Sequence, residues 1–150
     1  MNSDELRSMQ APLKQRYRDD AAAAQITLRA SGDLATGLTC SVQTGQAMIN
    51  AGLHPATGGD GLSACSGDML LQALVACAGV TLQAVATSLA IDVSGTVSAE
   101  GDLDFRGTLG VAKETPVGFS NIRLTFSLDS DADDDQLATL LRLTERYCVV

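Results

Sequence analysis

"DMLLQALVACAGVTLQAVATSL", residues 68–89, decides the fold of this chain. It is apolar on almost every face, and Gln72, Gly79, Gln83 and Thr87 make only a narrow polar stripe. Such a stretch reads as one long helix buried among other elements rather than lying on a surface. Ser66 stands ahead of it as an N-cap. Near its middle is Cys77, off the polar stripe, with Leu70, Ala73, Leu74, Val80 and Thr81 as helical neighbours. Alanine would have the better helix propensity there. The thiol is therefore either a small core filler, the usual place of a cysteine in an apolar helix, or the group around which the protein is built.

Strand patterns flank the helix on both sides. "QITLRAS" (25–31) alternates through Ile26, Leu28 and Ala30, and "LTCSVQT" (38–44) through Leu38, Cys40 and Val42. With "GDLATG" as the turn they read as a hairpin. "QAMINAG" (46–52) is a third strand by its length, and 54–67 a glycine-rich loop. Beyond the helix, 92–105 alternates through Val93, Val97 and Ala99, and 119–129 through Ile122, Leu124, Phe126 and Leu128. A turn or a loop with an edge segment joins these two. A final helix over 132–146 has Asp133 to Asp135 in its first turn and Arg142 and Arg146 in its last, as the helix dipole prefers. Upstream, Pro12 suits a helix N1 position and predicts a short helix reaching Ala24. Residues 1–22 thus form an N-terminal helical appendage, and 23–150 the main domain. Grouped strands around a buried helix give an α+β class with antiparallel sheets.

Composition narrows the function. The chain has 150 residues and a net charge of −8, with three Phe, two Tyr and no Trp. Acidity and scarce rings argue against nucleic-acid and anionic-membrane partners. The N-terminus lacks the apolar core of a secretory signal. The run Met69 to Val80, interrupted by Gln72 and Gly79, is too short to cross a bilayer. The expectation is a cytoplasmic protein whose thiols stay reduced, with no cofactor. Cys40, Cys65, Cys77 and Cys148 form no C-x-x-C pair, and His54 is the single histidine, so no zinc site is expected. Residues 129–140 begin like a calcium loop but carry Asp134 where glycine is needed and Leu140 where glutamate is needed. "GGDG" (58–61) lacks the Gly-Lys-Ser/Thr of a phosphate loop.

The thiols remain. Burial raises a thiol pKa, so a reactive Cys77 needs a cation nearby, for which Arg29 and Arg106 are the candidates. Asp68 opens the helix nine residues earlier, about 13 Å along the axis and on roughly the opposite side. Its direct partnership with Cys77 would need bending, a water or a second chain. Cys148 stands just past the last helix, an accessible position of the kind a resolving cysteine uses, or one of no consequence. Cys40 on an apolar strand face reads as core. Cys65, just before the helix N-terminus, competes for the reactive role and offers a redox-sensor pairing with Cys77.

"GGDGLSACSGDMLLQALVACAGVTLQAVA", "AEGDLDFRGTLG" and "VGFSNIRLTFSLDSDADDDQLATLLRLTERYCVV" together resemble the OsmC/Ohr family of osmotically inducible and organic hydroperoxide resistance proteins. The resemblance spans about residues 25–150 and rests on Ala-Cys inside the buried helix, Gly-Phe followed by Ile-Arg-Leu, and Tyr-Cys closing the last helix. It implies an intertwined homodimer and a thiol peroxidase. The cysteine matching Cys77 would attack a small hydroperoxide, the one matching Cys148 would close a disulfide with it, and an external dithiol would reduce that bond. Arg29 is the nearest match to the family arginine. Relatives commonly open this helix with Pro-Glu; here Cys65-Ser66-Gly67-Asp68 stands instead, leaving Asp68 as a shorter counterpart. The alternatives are a non-catalytic dimeric stress or binding protein on the same fold, or a redox sensor.

Overall fold

The computed structural model describes residues 2–19, 31–34, 39–44, 47–109 and 112–150. Helix α1 spans Ser3–Asp19, starting earlier than Pro12 would set it. Asn2 and Glu5 explain the start. The Glu5 N–H donates to Asn2 Oδ1 at 2.9 Å and the Asn2 N–H to Glu5 Oε2 at 2.9 Å, a reciprocal cap. Pro12 consequently lies inside the helix rather than at its first position. Among its residues whose burial is described, Leu6 is buried.

Strands β1 (Ser31–Leu34), β2 (Thr39–Thr44), β3 (Ala47–Gly52) and β4 (Ala64–Cys65) form one sheet in that order. The first two pairings are antiparallel, and β3 with β4 is parallel. Strand β1 takes residues 31–34, which the sequence pattern assigned mostly to a turn, because Leu34 pairs with Cys40 and Ser31 with Gln43. Residues 25–30, the rest of the expected first strand, lie outside the described residues. The expected loop 54–67 contains a 3-10 turn, Pro55–Thr57, capped by His54, and then β4.

Helix α2 runs over Ser66–Leu89. Strands β5 (Ser94–Leu103) and β6 (Phe119–Asp129) form a two-stranded sheet, and α4 (Asp134–Tyr147) ends the described elements. The segment after β5 is not an edge strand but a short helical turn, α3 (Phe105–Thr108). Asp104 caps it by accepting the Arg106 N–H at 3.0 Å. Asp133 and Gln136 make a full capping box at α4. At 24 residues α2 is long and apolar enough to cross a membrane, contrary to the expectation from its shorter inner run. Gln72 and Gly79 do not interrupt it. A core helix has the same composition.

The chain divides into two compact units, residues 1–28, 75–97 and 126–150 in one and 29–74 and 98–125 in the other. In the first, Leu82, Ala86 and Leu140 form the buried cluster, with Val85, Ile91, Val93, Phe126, Leu128 and Leu137 packed on it. Leu140 is fully buried. At i, i+4 and i+8, Ala78, Leu82 and Ala86 make one stripe of α2, against which α4 lies. Gly95 has φ +131°, a conformation that favours glycine, and a Cβ there would stand 2.0 Å from the Ser127 carbonyl oxygen. In the second unit, Gly101 leaves room for the Phe119 ring, which a Cβ would meet at 2.4 Å.

Candidate active site

Two elements bring two thiols together. On α2, Cys77 is half-buried one residue before the fully buried Ala78. At the end of α4, Cys148 is the C-cap: its N–H donates to the Thr144 carbonyl at 2.9 Å, and its backbone turns extended, φ −66° and ψ 129°. Thr144 is buried and returns its hydroxyl to the Leu140 carbonyl at 2.8 Å. Because Leu140 packs with Leu82 and Ala86, α4 runs antiparallel to α2 and its end reaches Cys77. The two sulfurs are 3.2 Å apart, with the Cys148 thiol donating to Cys77. Both thiols are free.

This contact separates the two cysteines chemically. The Cys148 thiol beside it holds Cys77 below the ordinary thiol range, and the Val149 N–H adds to the effect. Burial opposes them, and the Val150 N–H and the Thr81 hydroxyl contribute further lowering. Cys148 is pushed the other way, chiefly because ionising it would forfeit the bond it donates to Cys77. Of the two, Cys77 is the thiol whose ionised form the surroundings favour. A groove of about 600 Å³, lined by neither cysteine, has Val80, Ala84, Val85 and Leu143 in its wall together with the polar Gln10 and Ser88, and includes Thr81, one turn after Cys77, and Tyr147, next to Cys148.

The other candidates fall elsewhere. Asp68 is exposed in the first turn of the same unbroken helix. Nine residues of helix keep it about 13 Å along the axis from Cys77 and on the opposite face. It lines a separate cleft of about 650 Å³ with His54, Cys65, Phe105 and Phe119. Cys65 ends β4 immediately before α2. Twelve helical residues put it about 18 Å along the axis from Cys77, so an intrachain Cys65–Cys77 bridge is excluded. Cys40 lies on β2 opposite Ala51. Arg29 lies outside the described residues. Arg106 is committed to Asp104 at 2.6 Å, and Arg123 is held by Asp102 and by Glu100 at 3.3 Å. Among the described residues, no group of three His, Cys, Asp or Glu side chains could hold a metal ion.

Sequence reasoning missed the roles of Val149 and Val150, whose contribution is through backbone N–H groups and leaves no side-chain signal. Thr81 was visible as the residue one turn after Cys77, but nothing in a threonine distinguishes a packing residue from a donor until its neighbours are placed.

Fold and thiol pair define an α+β dithiol protein. Residues 58–150, more than half of the chain, match the family model described as OsmC-like protein. The chain belongs to the OsmC-like family. Solved structures agree on the fold. An OsmC-like protein from Mycoplasma pneumoniae is 16% identical, with 83% of this chain and 84% of that one covered and a TM-score of 0.68. A putative osmotic stress induced and detoxification response protein from Psychrobacter arcticus is 18% identical, covering 80% and 83%, with a TM-score of 0.59. The organic hydroperoxide resistance protein OhrB of Bacillus subtilis is 18% identical, covering 83% and 87%, with a TM-score of 0.51. No curated protein matches the chain in sequence.

Proposed function

We propose that the protein is a thiol-dependent peroxidase that reduces organic hydroperoxides, and hydrogen peroxide as a smaller substrate. The observation that carries this reading is the 3.2 Å Cys77–Cys148 contact with its opposed acidities. The Cys77 thiolate attacks the terminal peroxide oxygen. An S–O bond forms, the O–O bond breaks, and the departing alkoxide takes up a proton to leave as the alcohol. Cys77 is then a sulfenic acid. The Cys148 sulfur attacks it, forming the Cys77–Cys148 disulfide and releasing water made from the sulfenic hydroxyl and the Cys148 proton. An external dithiol restores both thiols by exchange and leaves as its own disulfide. The apolar side of the groove that includes Thr81, formed by Val80, Ala84, Val85 and Leu143, would hold the organic part of the substrate.

A homodimer belongs to this proposal. Only 17% of the most apolar window of α2 is buried within the chain, and Val80 is 73% exposed. A second copy would cover such a surface, and would also be the route by which Asp68 or Arg29 approached a thiolate. Sedimentation of a stable folded monomer at micromolar concentration would count against it.

The deciding experiment adds one equivalent of an organic hydroperoxide to reduced protein and maps the cysteines by alkylation, digestion and mass spectrometry. The expected product has a Cys77–Cys148 bridge with Cys40 and Cys65 free. Cys77→Ser should consume no peroxide. Cys148→Ser should react once and stall at sulfenic acid, drifting to overoxidised forms. Absence of any peroxide-dependent bridge would favour a non-catalytic dimeric binding protein.

A further inference from the structure

We infer that α1 supplies one wall of the substrate groove and that its Gln10 is a specificity-determining residue, selecting hydroperoxides whose alkyl chain ends in a neutral hydrogen-bonding group. The inference rests on the peroxidase reading for its meaning in turnover, but the choice of ligand by the groove can be measured without peroxide.

Every residue of the groove belongs to one compact unit, that of residues 1–28, 75–97 and 126–150. Three helices build it. On α2, Thr81, Ala84, Val85 and Ser88 follow the i, i+3, i+4, i+7 spacing of a single face. On α4, Leu143 and Tyr147 are one turn apart. Because these two helices are antiparallel, Thr81 and Tyr147 mark the same end of the groove. That end adjoins the thiols, since Thr81 is one turn after Cys77 and Tyr147 directly precedes Cys148. From there the groove follows α2 past the apolar Ala84 and Val85 to Ser88, about 10 Å further along the axis. An octyl chain is of that length.

The remaining wall comes from α1. Gln10 is half-buried and lines the groove, and Leu6, one turn earlier on the same face, is 8% exposed. That face of α1 is turned inward. The helix lies outside residues 58–150, the part matched by the family model, so this wall is an addition to the matched region. Among the described residues the Gln10 amide has no hydrogen-bond partner, whereas Gln15, off the groove, donates to Asp19 at 3.0 Å. An amide offers two donors and an acceptor, and one left unpaired where water is partly excluded favours a ligand that pairs with it. Ser88 adds a hydroxyl at the end away from the thiols. None of the described groove residues is Lys, Arg, Asp or Glu. Arg146 lies over the Tyr147 ring at 5.8 Å, at the thiol end rather than the Ser88 end. A hydroxyl or carbonyl on the chain therefore fits, where a carboxylate would lose water without gaining a cation.

The test compares the parent with Gln10→Met and Gln10→Leu in the full chain, after checking that each melts as the parent does, with Gln15→Met as the control on the same helix. The probes are octyl hydroperoxide and its analogues carrying a hydroxyl or a carboxylate at the far end of the chain. Losing one neutral hydrogen bond should lower the ratio of kcat/KM for the hydroxyl-ended probe to that for the plain one by about 5-fold in both Gln10 variants. Gln15→Met should keep the parent ratio. Octanol and the octanediol with hydroxyls at both ends, titrated by NMR, should show the same change in their ratio of dissociation constants, with the Gln10 side-chain amide signals of the parent moving on addition of the diol. Unchanged ratios in the folded Gln10 variants, or an equal fall in Gln15→Met, would overturn the inference, as would a parent that prefers the carboxylate-ended probe. A parent that discriminates between the alcohols through Gln10 but consumes no peroxide refutes the peroxidase reading and upholds the role of Gln10 in the groove.

Discussion

Replacing Cys148 by alanine separates two jobs that the residue performs at once. Its thiol is the leading cause of the lowered Cys77 acidity, donating across 3.2 Å. It is also the proposed resolving group. A hydrogen bond to a charged group contributes about 1.5–3 kcal/mol in proteins, and a sulfur donor belongs at the low end, so its loss should raise the Cys77 pKa by about one unit. Below both pKa values the thiolate fraction then falls about 10-fold. The thiolate that remains is more basic and more nucleophilic. With a Brønsted slope near 0.45, the value typical of thiolate exchange, one unit returns about 3-fold in intrinsic rate. First-turnover peroxide reduction by Cys148→Ala should therefore run about 3- to 4-fold slower than the parent at low pH. Above both pKa values it should run about 3-fold faster, so the two pH–rate curves cross. Cys148→Ser keeps an O–H donor in place of the thiol, so its curve should stay close to the parent in the first turnover. Neither variant should form the intrachain bridge. The assay is stopped-flow mixing with an organic hydroperoxide over a pH series, with sulfenic acid trapped by a carbon nucleophile. Superimposable parent and alanine curves would refute the reasoning, because the Cys148 thiol would then exert no electrostatic hold on Cys77.

Other consequences are equally direct. Leu140→Ala should cost about 2–5 kcal/mol in urea unfolding, since Leu140 is fully buried between α2 and the strand residues Phe126 and Leu128. A cost below about 1 kcal/mol would mean that α4 is not seated as described. Gly95→Ala should destabilise by at least about 1–3 kcal/mol, because its φ is +131° and the new Cβ would lie 2.0 Å from the Ser127 carbonyl; equal stability would show that the strand pair opens there. Arg106→Ala should leave first-turnover rates unchanged, its guanidinium being tied to Asp104 at 2.6 Å, whereas Arg29→Ala should slow them. The Arg106 guanidinium beside it holds the Asp104 carboxyl down to about 2. That pair thus favours the fold above about pH 4 and loses its effect as pH falls through 2. Carboxyl NMR titration should show the low midpoint in the parent and a return to the ordinary aspartate range, about 3.9, in the variant.

Much of the chain could be read before any coordinates. The helix over 68–89 and the strand over 119–129 follow from unbroken apolar character in one and strict alternation in the other, and both appear within two residues of the expected ends. The last helix was legible from its charges and appears as Asp134–Tyr147. Local chemistry misled where two readings compete over a few residues. Pro12 suits a helix start, but Asn2 and Glu5 cap an earlier one. "GDL" suits a turn, but hydrogen bonding to β2 makes it strand. The segment after β5 became a helical turn because Asp104 could cap it.

The sequence by itself determined the class, α+β around an over-apolar helix, and singled out Cys77 and Cys148 as candidates through their setting in a family-like pattern. Periodicity suffices for this because it records which faces must leave water, a property of each segment alone. Only the tertiary structure decided that the two sulfurs lie 3.2 Å apart and that the contact lowers the pKa of Cys77 while raising that of Cys148. Those outcomes depend on the packing of Leu140 against Leu82 and Ala86, which sets where α4 ends. A contact between residues 71 positions apart is fixed by such packing, since no local pattern in either segment encodes the distance between them.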